Sequence, residues 1–183
     1  MRALDVRSMT IGALLLALSL IIPMALGGVL GVVIGPFSAT LASHVPLMVS
    51  MLFGPGVAGI VALGSAIGFF VRLGPLIGLR AAMHIPVGVA GALLLKKQMS
   101  YPLVLAITGP IHAVLEGLIV QPLLMAGSSM LYGKSEPLAL FYLVAGGTLL
   151  HHAMDALIAL FSWRVIRFFQ NGVKSKKVTT SAD

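Results

Sequence analysis

Apolar runs of bilayer-spanning length, cut by Gly-Pro pairs and short charged islands, organise this chain. Taking the glycine-proline clusters and charges as boundaries predicts six spans, roughly 8–26, 37–53, 56–73, 75–96, 101–127 and 138–163. Each approaches or exceeds the ~20 residues a crossing helix needs. Gly-Pro recurs at Gly35-Pro36, Gly54-Pro55, Gly74-Pro75 and Gly109-Pro110. Three of these stand just before a predicted helix, where proline's missing N–H would be unpaired in any case. The 27–36 connection is apolar and glycine-rich, either folded back over the outer mouth of the bundle or lying as a loop at the interface. The fifth span carries Pro102, Pro110 and Pro122, so kinks or a break are expected there.

Composition turns this pattern into a class. Of 183 residues 58% are hydrophobic and 9% charged, and the mean hydropathy is +1.07, values that exclude an ordinary soluble domain. The first run, Ser8–Leu26 behind Arg2 and Arg7, has some look of a signal peptide cleaved near Ala25-Leu26-Gly27. Its length and the recurrence of comparable runs favour membrane insertion. The net charge of +7 follows the helix ends, not a polar face, so it reads as topology. Cytoplasmic termini put nine of the twelve basic residues inside: Arg2, Arg7, Lys96, Lys97, Arg164, Arg167, Lys174, Lys176 and Lys177. Arg72 and Lys134 then fall outside. The expected fold is an all-α membrane protein of six transmembrane helices spanning 1–170, followed by a basic, polar, disordered cytoplasmic tail at 171–183. Cysteine is absent, which removes disulfides, thiolate metal sites and a cysteine nucleophile.

The polar residues inside the spans are few: His44, Arg80, His84, His112, Glu116, Gln121, His151, His152 and Asp155. They come from the second, fourth, fifth and sixth spans, which should therefore face one another. An arginine at membrane depth must find an anion, carbonyls or water, and such residues mark functional sites by default. Arg80 would bind a ligand carboxylate bidentately, with His44, His84, His151, Glu116 and Gln121 around it; alternatively, it neutralises Glu116 or Asp155 in an internal pair. His112/Glu116 and His151/Asp155 are each spaced i,i+4 and share a helix face. That pairing serves a proton relay or a divalent metal, but without an HExxH motif the reading assigns no metal and treats these groups as structural or ligand-wall residues. His151 and His152 diverge by about 100°, so one of them should face the centre. Ala13 and Ala17, with Gly12 beside them, give the first helix a small-residue patch for close helix approach. A serine hydrolase is disfavoured: no Gly-x-Ser-x-Gly occurs, and Ser43 beside His44 cannot form a dyad on a helix.

Size, span number, inward termini, the alanine pair and the apolar 27–36 connection resemble the substrate-binding S components of energy-coupling factor vitamin transporters. The runs Ile34-Gly35-Pro36, Thr40-Leu41-Ala42-Ser43-His44-Val45-Pro46, Ala62-Leu63-Gly64-Ser65-Ala66-Ile67-Gly68-Phe69 and Leu79-Arg80-Ala81 with His84 resemble the niacin-specific members. The resemblance implies a high-affinity vitamin-binding subunit, not an enzyme, in a prokaryotic plasma membrane. It also implies a transmembrane T component docking at Ala13 and Ala17, and two ATPase subunits. ATP would be used by those partners, with no cofactor in this chain, which has no Walker sequence. The 27–36 segment would cover the site. Nicotinate fits best, with pantothenate or another small vitamin as alternatives. From another class, a stand-alone proton-coupled carrier would use Glu116 and Asp155 with their histidines.

Overall fold

The computed structural model describes residues 6–35, 37–125 and 136–180. It is mostly helical. Helix α1 (Val6–Ile21) ends in a π turn over Ile22–Leu26 that holds Pro23. A two-stranded hairpin follows, β1 (Gly31–Ile34) against β2 (Phe37–Thr40), with Ile34 opposite Phe37 and Gly31 opposite Thr40. Helix α2 (Val45–Ser50) runs into a 3₁₀ turn at Met51–Phe53. The remaining helices are α3 (Pro55–Leu73), α4 (Pro75–Ala82), α5 (His84–Lys96), α6 (Tyr101–Met125) and α7 (Pro137–Thr180).

Five segments are long and apolar enough to cross a membrane: Ser8–Leu26, Pro55–Leu73, Pro75–Lys96, Tyr101–Pro122 and Pro137–Phe168. The expected second span, 37–53, is not a single helix; strand, turn and six-residue helix share it. Its hydrophobicity reflects burial in protein rather than contact with lipid. Leu47, Met48 and Met51 are among the most buried side chains, forming one cluster with Ala58, Ala62, Val87, Val104 and Leu105. Non-helical backbone at membrane depth is tolerated in such protein-lined surroundings.

The fourth span is broken. Pro86 offers no N–H to the carbonyl of Ala82 and its ring crowds that carbonyl, and α4 ends at Ala82. Met83 N–H turns back to the Arg80 carbonyl at 3.0 Å before α5 begins. The fifth span, by contrast, stays a single helix with Pro110 and Pro122 inside it. The segment beyond 170 is helical to Thr180, not disordered as expected; lysine and valine do not oppose helix as glycine and proline do.

Helix α1 packs along α3, α3 along α4 and α5, and α6 along α7. Glycines permit the first of these contacts: a Cβ at Gly64 would run into the side chains of Leu16 and Ser19, and one at Gly68 into Leu20 and Pro23. Gly12, expected in a small-residue patch that lets another helix approach, faces Val57 of α3. Ala13 and Ala17 are exposed, and Ala13 borders a surface groove with Gly12, Val57 and Ile60. Arg2, Lys134 and Pro36 lie outside the described residues.

Candidate functional site

The break in the fourth span puts Arg80 in the last turn of α4 and His84 at the start of α5. Both are buried, at 3% and 1% exposure, which is why Arg80 cannot be read as a snorkelling surface residue. Its Nη2 donates to Glu116 Oε2 of α6 at 2.5 Å. Two longer contacts of 3.4 Å reach β2, from Nη1 to Ser38 Oγ and from Nη2 to the Ser38 carbonyl. The guanidinium also lies 5.7 Å from the centre of the Phe37 ring. The internal Arg80–Glu116 pair, one of the two readings of the sequence, is therefore formed.

Glu116 gathers the rest. Thr148 of α7 donates to its Oε2 at 2.7 Å. Its Oε1 stands 3.2 Å from His112 Nε2 and 3.7 Å from His84 Nε2. His44 Nε2 is 3.1 Å from His84 Nε2, and Ser65 Oγ of α3 meets His84 Nδ1 at 3.0 Å.

Asp155 performs a different task. Its two oxygens accept the backbone N–H groups of Ala42 and His44 at 2.8 and 2.9 Å. They thereby hold the turn in which Ala42 takes a φ of +68° and the entry to α2. His151, one turn away, donates from Nε2 to the Thr40 carbonyl at 3.0 Å. Helix α7 thus fastens the hairpin and α2 over the site. His151 and His152 both join the polar centre, contrary to the expectation that one would. His151 lies on the Asp155 side, while His152 Nδ1 meets His112 Nδ1 at 3.3 Å and its Nε2 donates to the Leu105 carbonyl at 3.1 Å. The divergence along α7 lets each serve a different neighbour.

A pocket lies between these groups, bounded by Arg80, His84, His44, Glu116, His151, Ser38, Ser43, Phe69 and Ile77. Its free volume is about 20 Å³, room for about one water, so a larger ligand needs the hairpin or side chains to move. Gln121 is not part of it: half-buried, it donates to the Gly117 carbonyl of its own helix. Five of the six residues singled out from the sequence meet here. Reasoning from single residues missed Ser38, Ser43 and Phe69, whose types are common in any membrane helix or loop. Ser43 Oγ is buried with no hydrogen-bond partner among the described residues.

No protein-family model matches the chain, and no solved structure matches it significantly. Among proteins of known function, the niacin transporter NiaX of Lactococcus lactis subsp. cremoris (strain MG1363) is 38% identical over 163 residues, covering 85% of this chain and 72% of the relative. With that identity and coverage, a multi-pass hydrophobic architecture and a buried polar pocket, the chain belongs to the niacin-transporter family, the niacin-type S components of energy-coupling factor transporters, and is a membrane transport protein rather than an enzyme.

Proposed function

We propose that this protein captures nicotinate beneath the hairpin and surrenders it inward through an energy-coupling factor complex. The observation that carries this reading is Arg80, a buried guanidinium at a helix break, bordering a pocket roofed by β2. Its two 3.4 Å contacts with Ser38 are the long ones, replaceable by a ligand carboxylate making shorter charge-assisted bonds. Phe69 and Ile77 give the flat ring an apolar wall, and His44, His84, His151, Glu116 and the unpartnered Ser43 hydroxyl offer polar contacts to a ring nitrogen. The naming of NiaX as a niacin transporter supports the same ligand.

In this reading 1–170 is the substrate-binding domain with six crossings, the segment 37–53 making the second, and 171–183 is a cytoplasmic appendage. Both termini are inside. Supporting this, Lys96, Lys97, Arg164 and Arg167 flank Tyr101 and Trp163, whose rings lie 5.6 Å apart and tilted by 54°; aromatic rings mark a membrane interface and the basic residues its cytoplasmic side. The exposed Ala13 and Ala17 receive the T component, and two ATPase subunits consume the ATP.

Equilibrium binding of nicotinate, nicotinamide and pantothenate to the purified protein, with Arg80→Ala alongside, tests the proposal. Tight binding of nicotinate alone, lost in the variant, is the expected result. Preference for nicotinamide, which has no carboxylate, or unchanged affinity in the variant, would overturn it.

A further inference from the structure

Hydrogen-bond direction dictates where the protons of the central histidines sit. The Leu105 carbonyl can only accept, so His152 carries its proton on Nε2 and its bare Nδ1 accepts from His112 Nδ1–H. A neutral His112 then turns the lone pair of Nε2 toward Glu116 Oε1, itself an acceptor, at 3.2 Å. On the opposite side, His44 Nδ1 stands 3.2 Å from Asp155 Oδ2. The alignment is too poor for a hydrogen bond, but the carboxylate still favours a proton on that nitrogen, which leaves Nε2 bare toward His84 Nε2. The lone pairs of His44 Nε2 and His112 Nε2 and the Glu116 Oε1 oxygen therefore converge on one point, where His84 Nε2 supplies a proton whose place a cation can take.

Charge has the same gap. Apart from histidines and Tyr101, the buried ionisable side chains among the described residues are Arg80, Glu116 and Asp155, one guanidinium against two carboxyl groups. An uncompensated negative charge inside a membrane bundle is costly.

We propose that His44, His84 and His112 hold one divalent transition-metal ion through their Nε2 atoms, with Glu116 Oε1 at the fourth position. One ring nitrogen from each of these three residues lies within 4.8 Å of the others. The shorter edges of the set, 3.1 Å between His44 and His84 and 3.2 Å between His112 and Glu116, match the spacing of about 3.3 Å between donors of a tetrahedral zinc site with bonds of about 2.0–2.1 Å. Each imidazole has its other nitrogen against a neighbour, Asp155, Ser65 or His152, the outer support that orients metal-binding histidines. Three imidazoles and a carboxylate suit zinc or cobalt and not magnesium or calcium. The neighbouring trio of His44, His151 and Asp155 also comes close together. There, however, Nε2 of His151 is spent on the Thr40 carbonyl and both Asp155 oxygens on backbone N–H groups. The sequence alone assigned no metal, since it holds no HExxH motif; that His44 and His84 join His112 and Glu116 as third and fourth ligands appears only in the fold. His44, His84 and Glu116 also border the vitamin pocket, so a bound ion would meet the ring nitrogen in their place; the ion's own binding does not depend on which vitamin the pocket takes.

Cobalt(II) titrated into vitamin-free, chelator-treated protein in detergent tests it. Expected is one equivalent per chain with the strong visible absorption of tetrahedral cobalt, displaced by zinc, and a higher melting temperature with zinc. His84→Gln and His112→Gln, each checked for folding by its metal-free melt, should weaken binding at least about tenfold. No bound cobalt in the wild-type protein overturns the proposal and leaves a shared proton between His112 and Glu116. Binding kept in both variants but lost in His151→Gln overturns it in favour of the other trio.

Discussion

Arg80 and Glu116 compensate each other so closely that the two effects of losing Arg80, on ligand and on fold, must be separated. Removing the guanidinium strands a buried carboxylate at about 3–5 kcal/mol, whereas removing both partners is far less damaging. Arg80→Ala is expected to lower the melting temperature strongly, and Arg80→Ala with Glu116→Ala to recover most of it. Nicotinate binding should stay lost in the double variant. Recovery of binding along with stability would show that Arg80 acts on the fold alone. Asp155 has its cost elsewhere: Asp155→Ala orphans the N–H groups of Ala42 and His44, at about 1–3 kcal/mol each. A thermal melt should register that loss even in ligand-free protein.

At the level of elements, the hairpin was the feature hardest to see in advance. Its cue is a Gly-Pro pair between the β-branched run Val32-Val33-Ile34 and Phe37, with Gly35 at a φ of +55°, but the surrounding apolarity masks it as membrane helix. The Phe37 ring seats against Gly147 of α7, where a Cβ would lie 2.6–2.8 Å from ring carbons. Gly147→Leu should therefore push β2 away from the site. Nicotinate is expected to dissociate faster from that variant, with helical content by circular dichroism unchanged; an unaltered off-rate would mean that β2 does not gate the pocket. The broken fourth span follows more directly from sequence, since Pro86 stands four residues after Ala82. No local rule says that the same break will set Arg80 and His84 into one cavity.

For the whole molecule, the exposed side of α1 and the basic end make separate predictions. Ala13→Trp with Ala17→Trp should abolish vitamin uptake in cells supplying the T component and ATPases while leaving nicotinate binding to the purified chain unchanged. Loss of binding as well would place those alanines in the fold and not at an interface. The absence of cysteine makes topology directly measurable. Single cysteines at Ala3 and Ser181 should resist an impermeant thiol reagent in intact cells and react after permeabilisation. Labelling of just one in intact cells would overturn the even number of crossings, and labelling of both would overturn the inward placement of the termini.

Sequence by itself determined the membrane class, five of the six expected spans in approximate bounds and the intramembrane polar set, because length, hydropathy and the scarcity of charge are local properties that burial in lipid imposes residue by residue. It also brought five of six proposed site residues to notice through their sheer cost in a bilayer. Tertiary structure alone decided that 37–53 is a strand and a short buried helix, since protein-facing and lipid-facing apolar residues look alike in sequence. It alone separated Asp155, bound to backbone N–H groups, from Glu116, bound to Arg80. It alone turned Gln121 back onto its own helix and brought ring nitrogens of His44, His84 and His112, on segments the sequence already set facing one another, within 4.8 Å. Those outcomes depend on which partners meet across distant parts of the chain, and no spacing along a single helix encodes them.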